Sequence, residues 1–352
     1  MAGAERVRVG VIGLGIGKNH AKRFAENPRA ELVALADLNP ALLTEWGDTL
    51  KVDPARRHAS GEELIAAGGL DAVCVATPNK FHAPLTEAAL EAGLHVVCEK
   101  PMAMTVAEAR SMRDAARTAG RNLMINFSFR FSDMSFALKQ QVDAGTIGPI
   151  YFGRTVWHRR RGIPKFGGWF GNRELSGGGP LIDLGVHRMD LALWLMGHPQ
   201  PVNVCGATYD VIGRRLASEQ DKHFSVEDLA CGIIRFANGA ALLVEASWAV
   251  HNQHPEEMIT QLYGERGGLV QRNLEGTYKF EAELYTEEGG NFFTKRLDKA
   301  LKPAPASMDE FIASILEDRP PLATADDGVR VQQIINALYE SAATGREVRI
   351  EP

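Results

Sequence analysis

The stretch that decides the fold lies near the amino end, where residues 9–20 read VGVIGLGIGKNH. The run Arg6–Ile12 that leads into the glycines is typical of a buried strand, and Lys18–Glu26 after them is typical of a helix. Glycines between a strand and a helix let the backbone approach a pyrophosphate, which then lies at the helix N-terminus. The stretch therefore predicts the first unit of a dinucleotide-binding fold, with an ordinary tight turn as the alternative.

The spacing of these glycines departs slightly from the common GxGxxG pattern. Gly13 and Gly15 fit it, but Lys18 occupies the third glycine position and Gly17 lies one residue early, which predicts a shortened turn. Asp37 ends the next predicted strand, 24 residues after Gly13, and an acid at about that distance can bind the adenosine ribose hydroxyls. Such a carboxylate would repel a 2′-phosphate, so NAD is favoured over NADP; the alternative is that Asp37 only caps the following helix.

The first third of the chain alternates short β-branched runs with helical segments. Its further predicted strands are Ala30–Ala36, Asp71–Ala76, His95–Cys98 and Leu123–Asn126, and helices are predicted near Pro84–Glu91 and at Val106–Thr118. This alternation argues for a parallel, doubly wound sheet. Residues 1–127 are therefore predicted to form a Rossmann domain.

The pattern changes after about residue 128, where longer strand candidates follow one another. They are Ile150–Trp157, Pro201–Tyr209, Asp228–Phe236, Ala240–Trp248, Met258–Tyr263, Gly268–Arg272 and Glu281–Tyr285, with a hairpin signal at Asn238-Gly239. Residues 212–225 are predicted to be a polar, mobile loop, and closing helices are predicted at Met308–Glu317 and Asp326–Thr344. The fold class is thus α/β, with 128–352 as an α+β domain on a large, mostly antiparallel open sheet.

Composition and charge are those of a soluble globular protein. The chain has 352 residues, 45% of them hydrophobic, and a net charge of −5. No long basic stretch suggests nucleic acid, and no apolar run approaches the roughly 20 residues that span a membrane. The four cysteines are widely spaced, which indicates free thiols in a reducing compartment. With no secretory pattern at the amino end, a cytoplasmic location is expected.

Two polar segments follow the ends of predicted strands. Ala76-Thr77-Pro78-Asn79 follows one strand and Glu99-Lys100-Pro101 follows the next. Ligands of open α/β sheets bind at the carboxyl ends of the strands, so both segments point at the nicotinamide end of the cofactor; the alternative for the second is a solvated turn. The residues assigned to the cofactor are Gly13, Gly15, Ile16, Gly17, Asp37, Thr77, Pro78, Asn79, His82, Glu99 and Lys100.

A third constellation lies at Ser176–Trp194, where three glycines and a proline predict a flexible start to a helix. On that helix Asp183 and His187 are four residues apart and share a face, and Asp190 lies on the same stripe. Ionisable groups are destabilising when buried without a partner, and histidine titrates near neutrality. Three interpretations stay open: an acid–base pair beside a nicotinamide, a metal site, or a structural polar stripe.

Together these motifs resemble the glucose–fructose oxidoreductase and inositol dehydrogenase family, Gfo/Idh/MocA, over nearly the whole chain. The resemblance is carried by Glu99-Lys100-Pro101, the downstream Gly-Gly-Gly…Asp-x-Gly-x-His, and the closing segment from Phe311 to Gly345. It implies NAD-dependent hydride transfer at a secondary alcohol or ketone of a sugar or cyclitol, no metal, and a homodimer or homotetramer. It also implies that His187 takes the hydroxyl proton, that Lys100 hydrogen-bonds the substrate oxygen, and that Asp183 binds substrate hydroxyls and orients His187.

Substrate contacts are expected from residues close to these motifs, namely Asn126, Arg130, Trp157, Arg159 and Trp169. Aromatic faces stack on sugar rings, and arginine forks bind hydroxyls or carboxylates, so acidic and neutral sugars are both open. The alternative is that the tryptophans lie in the core and the arginines are solvated. Two other functions also remain open: a redox-neutral glycoside-processing enzyme that retains NAD, and a non-catalytic NAD(H) sensor.

Overall fold

The computed structural model describes residues 6–351, which divide into two compact units. The first consists of residues up to Asn126 together with Pro305–Val329, and the second of Phe127–Ala304 and the residues from Arg330 onward. This division differs from the two continuous domains expected from the sequence, because residues 305–329 join the first unit.

The sheet of the first unit has six parallel strands in the order β3-β2-β1-β4-β5-β6. They are β1 (Val7–Ile12), β2 (Ala30–Ala36), β3 (Arg57–His58), β4 (Ala72–Val75), β5 (His95–Cys98) and β6 (Leu123–Ile125). The order reverses between β1 and β4, which is where doubly wound sheets bind their ligands. The predicted Rossmann sheet is confirmed, and each predicted strand lies within one residue of its expected ends.

Helices connect these strands in the expected alternation. They are α1 (Gly17–Glu26), α2 (Pro40–Thr49), α3 (Gly61–Ala66), α4 (His82–Glu91) and α5 (Val106–Ala119), with short 3₁₀ turns at Pro54–Arg56 and Asn79–Phe81. The limits of α5 follow from its sequence, because Thr105 and Glu108 form a reciprocal capping box and Gly120 ends the helix with a φ of 60°.

Hydrogen bonds explain why the later segment 305–329 belongs with the first unit. Helix α10 (Ser307–Leu316) presents Asp309, which accepts hydrogen bonds from the side chains of Arg23 and Asn27 on and just after α1. The amide of Asn122 donates to Ser314 Oγ at 3.1 Å and to the carbonyl of Arg319 at 3.0 Å. These partners lie nearly 200 residues or more apart in the chain, so local sequence pattern does not reveal them.

The sheet of the second unit has nine strands in the order β14-β13-β12-β11-β7-β10-β9-β8-β15. They are β7 (Ile150–Arg159), β8 (Pro201–Tyr209), β9 (Leu229–Phe236), β10 (Ala241–Ser247), β11 (Glu256–Gly264), β12 (Gly267–Asn273), β13 (Phe280–Glu288), β14 (Asn291–Leu297) and β15 (Val348–Arg349). Only β7 and β10 run parallel, so the predicted mostly antiparallel sheet is confirmed. The hairpin predicted at Asn238-Gly239 joins β9 to β10, and Gly239 supplies the positive φ of 86° that the turn needs.

The helical segments of this unit are α6 (Asp133–Asp143), α7 (Arg173–Ser176), a π-helical turn (Leu181–Gly185), α8 (Val186–Leu195) and α9 (Val211–Ser218), with 3₁₀ turns at Ser128–Phe131 and Trp169–Gly171. Helix α11 (Ala325–Thr344) begins in the first unit and ends in the second. None of the helices within residues 6–351 is long and apolar enough to cross a membrane. The same residues contain no group of three or more His, Cys, Asp or Glu side chains arranged to hold a metal ion.

The polar loop predicted over residues 212–225 is wrong, because α9 occupies its first half. The two buried residues of α9 are Gly213 and Ala217, one helical turn apart. A Cβ on Gly213 would lie 2.3 Å from the ring of Phe224, so the absence of a side chain lets this helix pack closely. The buried face of α9 consists of small residues, so the sequence of this mostly polar segment shows no apolar periodicity that would predict a helix.

Candidate active site

The glycine turn after β1 has the backbone geometry expected of a dinucleotide-binding loop despite its spacing. Gly13 has a φ of 89°, and a Cβ there would lie 2.5 Å from the carbonyl oxygen of Ala76. Gly15 is exposed, and a Cβ added to it would meet no atom within 4 Å, which leaves room for a phosphate to approach the backbone. A Cβ on Gly17 would lie 3.0 Å from that of Ala76, so Gly17 gives α1 its close packing, the usual task of the third glycine.

Asp37 joins the end of β2 to this glycine turn. Its Oδ2 accepts a hydrogen bond from the backbone N–H of Leu14 at 2.6 Å, and its Oδ1 accepts one from that of Asn39 at 2.8 Å. The cap of α2 is Asn39, which accepts from the N–H of Ala41, so Asp37 does not serve as the helix cap. Each carboxylate oxygen can accept a second bond, which fits the ribose role expected for Asp37.

The segment after β4 borders the glycine turn, since a Cβ on Gly13 would lie 3.0 Å from the backbone nitrogen of Thr77. The hydroxyl of Thr77 is buried and has no hydrogen-bond partner within residues 6–351. A buried hydroxyl that stays unpaired is destabilising by about 1–3 kcal/mol, so this position fits a group that a bound dinucleotide would satisfy. Pro78 follows it, and Asn79 begins the next 3₁₀ turn; Ile16, in the glycine turn, is 52% exposed.

His82 does not fit the cofactor contact expected for it. The ring is 1% exposed; Nδ1 lies 2.7 Å from the carbonyl oxygen of Pro101 and Nε2 lies 2.9 Å from that of Thr77. Burial lowers the pKa of His82, although both carbonyls oppose that effect. The ring therefore lies between the two polar segments, and each of its nitrogens faces a backbone carbonyl.

Glu99 is the centre of the segment after β5. Its Oε1 lies 2.7 Å from His20 Nε2 and accepts from Asn126 Nδ2 at 2.6 Å, while its Oε2 accepts from the backbone N–H of Lys100 at 3.2 Å. Burial by itself would raise the pKa of Glu99, but His20, Lys100 and Asn126 outweigh it and hold that pKa at about 2. The alternative of a solvated turn is wrong for Glu99, which is 8% exposed; the Lys100-Pro101 bond is cis.

Two further residues of the first unit bear on the site. Asn126 is buried, and its Oδ1 has no hydrogen-bond partner in the part of the chain that the structure describes. It is therefore placed to accept from a ligand while its amide nitrogen holds Glu99. His20, the partner of Glu99, was not predicted; its only signal in the sequence is its place one turn into the helix after the glycines.

In the second unit, the helical segment 181–190 separates accessible from buried ionisable groups. Of these ten residues only Asp183 and His187 are not buried, so the predicted pair does share a partly exposed face. Asp183 accepts a hydrogen bond from the indole N–H of Trp248 at 3.0 Å. The His187 ring packs against Phe129 and Trp157, with centroid separations of 5.2 Å and 5.7 Å. The segment starts as a π-helical turn and not as the regular helix expected.

Asp190 and Arg130 belong to the core, against the expectation for both. Asp190 is fully buried and Arg130 is 1% exposed. Arg130 Nε donates to Asp190 Oδ2 at 2.8 Å and Nη2 donates to Oδ1 at 2.6 Å, while the guanidinium lies over the rings of Phe127 and Trp194. Each charge neutralises the other, so Asp190 is not part of the accessible stripe and Arg130 is not placed to bind substrate.

Trp157 and Arg159 converge on one carboxylate, that of Glu256. Trp157 Nε1 donates to Glu256 Oε1 at 2.6 Å, Arg159 Nε donates to it at 2.7 Å, and the hydroxyl of Tyr278 lies 3.2 Å away. Trp157 is 3% exposed and lies in a core cluster with Leu184, Val226, Trp248 and Met258, so its expected role in stacking on a sugar is wrong in this structure. Glu256 and Tyr278, from β11 and the turn after β12, gave no signal in the sequence.

Arg159 and Trp169 remain candidates for substrate contact. Burial would lower the pKa of Arg159, but the hydrogen bond to Glu256 and nearby charges, Asp183 among them, raise it overall. This places the Arg159 cation in the same electrostatic neighbourhood as the accessible Asp183. Trp169 is partly exposed and stacks on Phe170 with a centroid separation of 3.8 Å.

Comparison with known proteins agrees with this geometry. Residues 7–127 match the family described as an oxidoreductase family with an NAD-binding Rossmann fold, and residues 139–350 match its C-terminal α/β domain. The protein is thus an NAD-binding oxidoreductase. It belongs to the Gfo/Idh/MocA family, as its motifs predicted.

Individual relatives share the full length of the chain. It is 34% identical to the D-glucoside 3-dehydrogenase of Escherichia coli (strain K12), over 98% of this chain and 97% of that one. A levoglucosan dehydrogenase solved with NADH and levoglucosan has a TM-score of 0.85 and 25% identity, covering 99% and 100% of the two chains. The aldose–aldose oxidoreductase of Caulobacter crescentus, solved with glycerol, has a TM-score of 0.82 and 29% identity, covering 98% and 100%.

The buried pair of Asp190 and Arg130 leads to a stability prediction. Asp190→Asn should lower the free energy of unfolding by about 3–5 kcal/mol, because Arg130 would stay buried without its counter-charge. Urea unfolding followed by circular dichroism measures this. Asp326→Asn is the control, because Asp326 and its partner Arg117 have side chains that are 53% and 61% exposed. This substitution should lower the free energy of unfolding by less than about 1 kcal/mol. Equal losses in the two variants would contradict the assignment.

The position of Asp37 leads to a prediction on cofactor choice. NAD(H) should bind at least about tenfold more tightly than NADP(H), or about 1.4 kcal/mol, because the carboxylate would face the 2′-phosphate. Isothermal titration with both cofactors measures the ratio, and Asp37→Asn should bring it towards one. Asp48→Asn, on the exposed face of α2, should leave the ratio unchanged. Equal affinities in the unaltered protein would be incompatible with this role for Asp37.

Proposed function

We propose that the protein catalyses hydride transfer between NAD(H) and a secondary alcohol or ketone of a neutral sugar, sugar derivative or cyclitol. The observation that carries the proposal is the accessible pair Asp183 and His187 on an otherwise buried segment. A histidine that remains reachable while its neighbours are buried is suited to take up or return a proton. The names of the two dehydrogenase relatives, which act on a D-glucoside and on levoglucosan, support a carbohydrate substrate.

Each proposed role follows from the surroundings of the residue. The nicotinamide, when bound, supplies the hydride chemistry. His187 takes the hydroxyl proton, and the packing of Phe129 and Trp157 around its ring limits its orientations. Asp183, fixed by the indole of Trp248, binds substrate hydroxyls and orients His187. Lys100, whose backbone is tied to Glu99, donates a hydrogen bond to the reacting oxygen.

The charges in the second unit favour a neutral substrate over an acidic one. The Arg159 cation is already paired with Glu256. Arg160 Nε donates to the carbonyl of Asn252 at 2.8 Å, and Arg161 Nη1 donates to that of Arg160 at 2.6 Å. A substrate carboxylate would therefore compete with Glu256 for Arg159, and it would carry the same sign of charge as Asp183 and Glu256. We infer that neutral hydroxyl groups are what this surface binds.

A second candidate function is a redox-neutral conversion in which NAD is retained. The similarity to an aldose–aldose oxidoreductase favours considering it, because that name describes transfer between two sugars. The two candidates differ in net NADH formation and share the same roles for Asp183 and His187. The third function left open by the sequence, a non-catalytic NAD(H) sensor, is not supported by the accessible His187, because a sensor needs no accessible proton acceptor beside its ligand.

Assembly and location are further proposals. We infer a homodimer or homotetramer, because the outermost long strand β14 is exposed along its length and carries Phe292, which is 86% exposed. Apolar side chains on a sheet edge favour association with another copy. A cytoplasmic location is proposed on the two buried free thiols, Cys74 and Cys98, which suit a reducing compartment.

A substrate panel tests the proposed function directly. NADH absorbance should rise with some neutral hexoses, glycosides or cyclitols, and kcat/KM for the matching uronates should be at least about tenfold lower, or about 1.4 kcal/mol of discrimination. Product analysis in parallel detects turnover without net NADH, which would select the redox-neutral candidate. No turnover of any carbohydrate would refute the proposal, and preference for uronates would refute only the neutral class.

Variants of the three proposed catalytic residues test their roles. His187→Ala and Lys100→Ala should each lower kcat by roughly 10²–10⁴-fold, the usual effect of losing an acid–base group. The Kd for NAD should change little, because neither residue is assigned to the adenosine or the pyrophosphate. Asp183→Ala should also raise KM, since this residue is assigned to substrate hydroxyls. The matched control is His158→Ala, because His158 follows Trp157 on β7 and its side chain points to the opposite sheet face.

The result for His187 decides whether it acts as the proton acceptor. If His187→Ala retains a normal kcat across the pH range, as His158→Ala should, then His187 is structural. Lys100 would then be the first candidate for the base.

A further inference from the structure

We propose that Glu227 is a positioning residue which, with Tyr339, fixes the start of the helical segment that carries Asp183 and His187. Its link to catalysis rests on the function proposed above, whereas the mechanical link rests on contacts within the second unit. Glu227 lies just before β9, and Tyr339 lies on α11, so both are remote in sequence from the segment they hold.

The carboxylate of Glu227 is buried and surrounded by donors. Its Oε2 accepts from the backbone N–H of Gly179 at 2.9 Å. Its Oε1 accepts from the N–H of Leu181 at 3.2 Å and from the hydroxyl of Tyr339 at 2.8 Å. The first N–H groups of a helix have no partner within the helix, and here a side chain from another element satisfies two of them. We call Glu227, Tyr339 and residues 178–181 the Glu227 clamp.

Positions 178 and 179 of the Glu227 clamp are glycines, and the surrounding atoms leave no room for a side chain at either position. A Cβ on Gly178 would lie 2.0 Å from the Tyr339 hydroxyl, and one on Gly179 would lie 2.1 Å from the carbonyl oxygen of Glu227. Both glycines and Pro180 are buried. The flexible start expected from the glycine run is therefore wrong, because these glycines permit close packing and hold the segment in place.

The clamp is connected to the proposed catalytic pair through the backbone. Gly179, held by Glu227 through its N–H, accepts at its carbonyl the hydrogen bond from the N–H of Asp183 at 3.1 Å. At the other end of the π-helical turn, a Cβ on Gly185 would lie 3.1 Å from that of Ala246 on β10. The turn is thus held at both ends, and a shift of Gly179 would move Asp183 and the residues that follow.

The chemistry of the site explains why an acid stands at position 227. Burial raises the pKa of Glu227, while the Tyr339 hydroxyl and the two backbone N–H groups act in the opposite direction. Only a carboxylate offers acceptor oxygens to Gly179 and to Leu181 at once. An amide would turn its NH₂ group towards one of these N–H donors, and the lost bond would release one side of the clamp.

A series of variants tests the proposal. Glu227→Gln keeps one acceptor oxygen and Glu227→Ala keeps none, so kcat should fall in that order, by about tenfold and about hundredfold, as expected when catalytic groups are misplaced by an ångström. The Kd for NAD should not change. Tyr339→Phe removes one donor and leaves both backbone bonds, so it should fold and lower kcat less than Glu227→Gln does.

Ser341→Ala is the matched control for a purely structural role. Ser341 also lies buried on α11; its hydroxyl accepts from the N–H of Gly206 at 3.0 Å and donates to the carbonyl of Arg346 at 2.6 Å. Its loss should lower the melting temperature and leave kcat unchanged. If Glu227→Gln and Tyr339→Phe behave in the same way as Ser341→Ala, the positioning role is refuted.

Hydrogen exchange gives a measurement that does not depend on activity. Peptides covering residues 177–187 should exchange faster in Glu227→Gln and in Tyr339→Phe, and at the normal rate in Ser341→Ala. Normal exchange in all variants would overturn the clamp even if the substrate is correctly identified. Conversely, if the unaltered protein turns over no carbohydrate, the proposed function fails while the exchange result still decides whether the clamp exists.

Discussion

A carboxylate can be buried only where hydrogen-bond donors surround it, and much of this structure depends on three carboxylates that meet this condition. Glu99 draws in His20 and Asn126, which lie 79 and 27 residues away in sequence. Asp190 is paired with Arg130, and Glu227 receives two backbone amides and a tyrosine hydroxyl. Loss of the donors would leave an unpaired buried charge, so each carboxylate fixes the place of distant segments.

This arrangement separates ionisable groups that are buried in the fold from ionisable groups that keep exposed surface. On the segment 181–190 the fully buried Asp190 is paired with Arg130, whereas the chemically similar Asp183 stays partly exposed and accepts a hydrogen bond from the indole of Trp248. The two histidines of the first unit that contact the polar segments both have structural partners, but these partners differ. His82 is committed to two carbonyls, while His20 supports the carboxylate of Glu99. Residue type alone does not distinguish these roles.

Glycines likewise serve distinct purposes in the two units. Gly13 provides a backbone conformation that side chains resist, and Gly15 leaves open space beside the turn. Gly17, Gly178 and Gly179 instead allow neighbouring groups to approach more closely than a Cβ permits. The shortened motif after β1 therefore keeps the geometry of the usual loop, because Gly17 provides the close helix packing expected of the position that Lys18 occupies.

The sequence by itself determined the features that depend on neighbouring residues. These include the alternation of strands and helices, the glycine turn, the Asn238-Gly239 hairpin, the family motifs and the shared face of Asp183 and His187, because periodicity and adjacency decide them. Helix α9 was not predicted, because its buried face consists of Gly213 and Ala217, and these small residues produce no hydrophobic periodicity in the sequence.

Only the tertiary structure decided which distant donors meet which acceptors. It pairs Arg130 with Asp190, 60 residues apart in the chain, and it hydrogen-bonds Tyr339 to Glu227, 112 residues apart. It also groups residues 305–329 with the first unit. It also shows that Trp157 lies in the core, and that Glu256 and Tyr278 contact Arg159. The physical reason is that such pairings depend on strand order and register, which position residues far apart in the chain, and no local pattern of residues records them.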